Sequence, residues 1–144
     1  MNKQIIKKMA NKYSAKYSTR NPFELAEYLN IRVFQVPLGN LSGFYKYMKK
    51  HKCIFINSDI EDLGLKRFVM AHELGHALLH TKDNCYFMDN KTFMNTSKIE
   101  IEANMFACEL LISDCTIHEN KNLTLKQFSL LLGYDDDFIK LKFN

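Results

Sequence analysis

A chain of 144 residues with 47% hydrophobic content is long enough to close one ordinary core and too short for two, so one domain over residues 1–144 is expected. Charged residues at 25%, with only 5 glycines and 2 prolines, exclude a disordered or fibrous chain; no segment reaches the ~18 apolar residues of a membrane span or forms a signal-peptide core, so a cytoplasmic protein is expected. The net charge of +4 is local: residues 1–20 hold Lys3, Lys7, Lys8, Lys12, Lys16 and Arg20 without an acid, and the rest of the chain is slightly acidic, which excludes a general nucleic-acid footprint.

In chain order, Ile5, Ile6, Met9, Tyr13 and Tyr17 recur at helical spacing and predict an amphipathic helix with lysines on a solvated outer face. Asn21 and Pro22 read as the cap and first turn of a second helix, with Phe23, Leu25, Ala26 and Leu29 as its buried stripe and Asn30 at its end. Runs rich in β-branched and aromatic residues follow at 31–36, 43–48 and 53–56, separated by Pro37, Gly39 and Asn40, and predict a small antiparallel sheet. Asp59 or Asp62 can cap a long helix running to about Leu79, and the polar, aperiodic stretch 81–95 reads as a loop. Ile99, Ala103, Phe106, Ala107 and Leu110 predict a fourth helix over 98–111. A fifth begins at Thr124, which forms a capping box with Gln127, and stops near Gly133; a short terminal helix follows. The expected fold class is α+β, a small sheet packed against several helices. Cys53, Cys85, Cys108 and Cys115 form no CxxC pair and are expected as reduced core residues.

The long helix carries AHELGHALLH. On a helix, residues i and i+4 share a face, so the imidazoles of His72 and His76 can converge on one metal ion. Glu73, one position on, is rotated by ~100°, off the metal and toward a water bound there. Ala71, Leu74, Ala77 and Leu78 mark the helix as buried, so histidines here need polar partners inside a core, and a metal answers that need.

Two histidines on an open zinc site want a third protein ligand, with His80, Glu100, Glu102, His118 and the cysteines as candidates. Eight residues of helix span about 12 Å, which removes His80 as a ligand beside His72 and leaves it an outer contact or a helix-end residue. Glu100 and Glu102, two apart on the fourth helix, cannot both face one ion. Glu100 is preferred because Asn104 at i+4 could accept a hydrogen bond from a ligand histidine; Glu102 stays the alternative. Cys108, Cys115 and His118 match no compact zinc-finger spacing.

Taken with HELGHALLH, the blocks NPFELAEYLNI, SGFY, IFINSDI and IEIEANMFACELLIS occur in an order that resembles the ImmA/IrrE metallopeptidases of mobile elements and stress-response systems. That resemblance implies a zincin-like single domain, with zinc on His72, His76 and Glu100 and with Glu73 as general base. It also implies a substrate: a repressor with a helix-turn-helix DNA-binding domain. The sequence departs from the pattern at Ser113, where the family often has proline, which is expected only to soften a helix end. The family often continues beyond the final helices, whereas this sequence ends at Asn144, so regulatory or repressor-docking elements carried there are expected to be missing.

The function expected is therefore a zinc-dependent endopeptidase, with manganese a substitute in vitro, using metal-activated water attack on a peptide carbonyl. A strand within 43–57 could align the substrate by edge pairing, and Tyr45, Tyr86, Arg67 and His118 are candidate oxyanion donors. The rival from another class is a catalytically weak zinc-stabilised protein that sequesters a repressor without cutting it; the presence of Glu73, unnecessary for structural zinc, argues against it. Direct DNA binding through residues 125–132 and 136–143 is disfavoured by Asp135, Asp136 and Asp137, which sit where a recognition helix meets phosphate.

Overall fold

The computed structural model describes residues 1–82 and 97–143, together with the backbone of 85–88. The elements are α1 (Lys3–Tyr17), α2 (Pro22–Tyr28), β1 (Arg32–Val36), β2 (Leu41–Met48), β3 (His51–Asn57), α3 (Leu63–Leu79), β4 (Cys85–Met88), α4 (Lys98–Leu111), α5 (Asp114–Glu119), α6 (Leu125–Leu132) and α7 (Asp136–Phe143). The architecture is α+β, with the HELGH helix α3 lying between the sheet and α4.

Local chemistry sets most boundaries. Asn21 accepts from the backbone N–H groups of Phe23 and Glu24 with Pro22 behind it. Of the two aspartates that could start α3, Asp62 is the cap, accepting from Leu65 N at 3.1 Å. Thr124 and Gln127 form both halves of the capping box, and Gly133 closes α6 at φ 76°. Two elements have no clear sequence signal. Strand β4 falls inside the stretch expected as loop, because pairing to β2 overrides its weak local preference. Helix α5 begins at Ser113, whose hydroxyl accepts from Thr116 N at 3.1 Å. Ser113, expected only to soften a helix end, thus caps a helix of its own.

The sheet order is β1-β3-β2-β4, and it is mixed where an antiparallel one was expected: β1 runs parallel to β3, while β2 is antiparallel to β3 and to β4. Asn57, at the end of β3, explains the crossing. Its amide nitrogen donates to the carbonyls of Gly39 and Leu41, and its oxygen accepts from Leu38 N and Asp59 N. The β1–β2 connection is thereby held across the end of β3, which fills the position between those strands. Strands β2 and β3 are both internal, so the expectation that residues 43–57 offer a free edge to substrate fails; the outer strands are β1 and β4.

The core joins Tyr45, Ile54 and Ile56 of the sheet to Val69, Met70, Leu74 and Ala77 of α3, and to Phe106 and Leu110 of α4, all fully buried. Each large side chain here contributes about 1.5–3 kcal/mol by leaving water. Helix α1 packs on α4 through Ile6 and Ala10, and its charges are only partly solvated. Arg20 donates to the carbonyls of Glu109 and Leu110 at the end of α4, Lys3 donates to Leu141 O, and Lys7 pairs with Asp114 at 2.7 Å. Lys8, Lys12 and Lys16 are exposed.

Helix α7 docks on α4 by burying Phe138 and Ile139 and by placing Lys142 2.8 Å from both Glu109 and Asp114. The cysteine expectation needs one correction: Cys53 and Cys108 are free and buried, but Cys115 is exposed, on the outer face of α5 beside Glu119. The side chain of Cys85 lies outside the described residues. Among these residues, no helix is long and apolar enough to cross a membrane.

Candidate metal centre

Two helices build the site. On α3, His72, Gly75 and His76 lie on the face turned to α4. A Cβ placed at Gly75 would meet Ala103 Cα and its carbonyl oxygen at 3.2 Å and Phe106 Cβ at 3.3 Å. The missing side chain lets the helices approach closely one turn along α4 from Glu100. Every residue from Phe68 to Ala77 is buried, the two imidazoles included.

Glu100 closes the group. Its carboxylate oxygens lie 2.8 Å from His72 Nε2 and 3.1 Å from His76 Nε2, and the two Nε2 atoms are 3.2 Å apart. Tetrahedral zinc with bonds of about 2.0–2.1 Å requires ligand atoms about 3.3 Å apart, so the three donors stand close to that spacing. Two imidazole nitrogens and one carboxylate form a donor set suited to zinc. Among the described residues, His72, His76 and Glu100 are the one His/Cys/Asp/Glu group able to share an ion. The geometry separates the acids left open by sequence: Glu100 faces the histidine pair, while Glu102 faces His80 at 2.9 Å.

Glu73 is fully buried, and among the described residues neither of its carboxylate oxygens has a hydrogen-bond partner. Burial, with the Glu100 charge added, holds its pKa well above the ordinary glutamate range. A buried carboxyl without partners costs several kcal/mol, a cost kept at sites where the group has chemistry to do. Burial also pushes Glu100 upward, but hydrogen bonds from His72 and His76, and their charge, outweigh it and bring Glu100 to about 2. Two carboxyls a few residues from one another in space are thus driven apart, one toward the acid and one toward the anion.

The outer contacts differ for the two histidines. His72 Nδ1 lies 2.8 Å from Asn104 Oδ1, the hydrogen bond that the i+4 spacing from Glu100 anticipated. His76 Nδ1 lies 3.1 Å from His80 Nδ1.

A family model for the IrrE N-terminal-like domain matches residues 26–127. The chain is 41% identical over 141 residues to "Uncharacterized immunity region protein 2" of Bacillus phage phi105, covering 96% of this chain and 89% of that protein. It is 31% identical over 103 residues to "Metallopeptidase ImmA" of Bacillus subtilis (strain 168), covering 72% of this chain and 60% of that protein. The chain belongs to the ImmA/IrrE family.

Membership of the ImmA/IrrE family places the chain among metallopeptidases and implies a bound metal ion, for which His72, His76 and Glu100 offer the donors. The matched segment contains α3 and α4 whole, so the part of the chain that defines the family is the part that forms this cluster. Of the oxyanion candidates, Tyr45 is buried with its hydroxyl donating to the Thr81 carbonyl, and Arg67 lies over the Tyr134 ring at 5.5 Å. His118 lies on α5, and the side chain of Tyr86 is outside the described residues. Sequence reasoning missed the pairing of His80 with Glu102. The two meet only where the end of α3 packs on α4, which no local pattern marks.

Proposed function

We propose that this chain is a single-domain zinc endopeptidase that cleaves a helix-turn-helix transcriptional repressor in the cytoplasm. One observation carries the reading: a buried Glu73 carboxyl, with no partner on either oxygen among the described residues, on the helix that presents His72 and His76 to Glu100. His72, His76 and Glu100 would hold the ion, three protein donors where a closed structural site supplies four. When bound, zinc supplies Lewis acidity and lowers the pKa of a water toward neutrality; manganese can replace it in vitro.

The protein residues then have separate tasks. Glu73 is the general base, taking the proton from the attacking water. The same carboxyl would then hand that proton to the leaving amine. Glu100, held as an anion, stays a ligand and does not compete for the proton. The repressor as substrate is supported by family membership and by similarity to a phage protein named for an immunity region.

The test is to mix the chain, zinc and a helix-turn-helix repressor from the same genome. Discrete cleavage products are expected, lost on chelation. Glu73→Gln should retain stoichiometric zinc and cleave about 100- to 10,000-fold more slowly. Undiminished cleavage by Glu73→Gln removes the proposed base, and an intact repressor held in a stable complex replaces cleavage with sequestration.

A further inference from the structure

His72 and His76 present Nε2 to the same point but are supported in different ways. Behind His72 stands a neutral amide, Asn104. Behind His76 stands a chain of ionisable groups: His76 Nδ1 to His80 Nδ1 at 3.1 Å, then His80 Nε2 to Glu102 Oε1 at 2.9 Å. All three members of that chain are buried, His80 at 8% and Glu102 at 5% exposure. His80 reaches this place because it is the residue that ends α3, with φ −131° and ψ 50°, its N–H still bonded to the His76 carbonyl.

The chemistry of the contacts fixes a direction. An ionised carboxylate only accepts, so Glu102 selects the form of His80 with its proton on Nε2. His80 Nδ1 is then a lone pair and accepts the Nδ1 proton of His76. With that proton held on Nδ1, His76 is left with its lone pair on Nε2, the atom aimed at Glu100 and His72. We infer that His80 and Glu102 are positioning residues, a relay that sets the tautomer and ring orientation of His76 for metal binding. The inference rests on the reading of His72, His76 and Glu100 as the metal site. It gives Glu102, the alternative ligand, a different task, separated from the ion by His80 and His76.

Zinc affinity of the full chain, measured by competition with a chelator, tests it without any substrate. His80→Leu, which leaves no acceptor for His76, should weaken zinc about 10- to 100-fold. His80→Asn, whose Oδ1 can take the place of the imidazole Nδ1, should recover most of that loss, which a merely space-filling role for His80 does not foresee. On the zinc-loaded wild type, nitrogen-edited NMR should find His80 protonated on Nε2 alone and the His76 Nδ1 proton slow to exchange with water, a readout independent of how the variants fold. Leu and wild type binding zinc equally, Asn as weak as Leu, or His80 protonated on Nδ1 each overturns the relay. If the wild type binds no zinc, the metal-site reading falls and the relay with it; if it binds zinc but cleaves nothing, the relay stands and only the peptidase reading falls.

Discussion

Gly75 of α3 has no room for a side chain against Ala103 of α4: a Cβ there would sit 3.2 Å from both the Cα and the carbonyl oxygen of Ala103. Because Glu100 lies one turn before Ala103, the distance between these helices at Gly75 governs how far Glu100 stands from the histidines. Gly75→Ala is expected to shift α4 by a few tenths of an ångström and to weaken zinc binding. Its higher helix propensity, worth about 1 kcal/mol, offsets part of any loss in stability. Gly75→Leu should destabilise by roughly 1–3 kcal/mol through overpacking and abolish tight metal binding. Chelator competition alongside thermal unfolding separates the two effects; a Leu variant with native zinc affinity would show that the helix spacing is not what positions Glu100.

Asn104 offers its side-chain oxygen to His72 at 2.8 Å, and both groups are buried. Asn104→Leu keeps the volume and removes the acceptor, so zinc affinity should fall about 10- to 100-fold while the fold persists. Asn104→Asp retains an acceptor and should bind zinc more tightly than the Leu variant. Isothermal titration on the three proteins checks the order.

Lys142 and Glu109 form a buried ion pair at 2.8 Å, with side-chain exposures of 5% and 2%, and the pair clasps α7 to α4. Lys142→Ala strands the Glu109 carboxylate and should cost about 3–5 kcal/mol. For a chain of this length, that loss lowers the melting temperature by on the order of 10 °C. Replacing both residues with leucine should recover most of the loss, since the cost comes from the unpaired charge. Differential scanning calorimetry of the single and double variants decides it.

Asp114 sits between Lys142 and Lys7, and hydrogen bonds from these two lysines bring it from 3.8 to about 2. An acid whose pKa is lower in the folded state stabilises fully above its unfolded value and loses that contribution as pH falls through the folded one. The loss should therefore fall between pH about 4 and about 2. Its side chain is 58% exposed, so water screens the pairs and the contribution at neutral pH is about 1 kcal/mol or less. Asp114→Asn should be slightly less stable than wild type at pH 7 and indistinguishable from it below pH 2; a constant difference across that range would exclude Asp114 as the titrating group.

Much of this protein could be read along the chain because its determinants are local. A capping box needs Thr124 and Gln127 three residues apart; a helical stripe needs only its own period; His72, Glu73 and His76 share one helix, so their relative directions follow from 3.6 residues per turn. The i+4 step from Glu100 to Asn104 is local in the same sense, which is why the His72 contact could be anticipated. Tertiary structure decided what depends on two elements meeting. Glu100 and Glu102 are both good first-turn acids by sequence, and only the crossing of α4 over Gly75 turns one toward His72 and His76 and the other toward His80. The parallel β1–β3 pair and the strand β4 likewise depend on partners distant in sequence, with no local pattern to mark them. The motif AHELGHALLH by itself determined that two imidazoles share one helix face; packing determined which glutamate meets that pair and which meets His80.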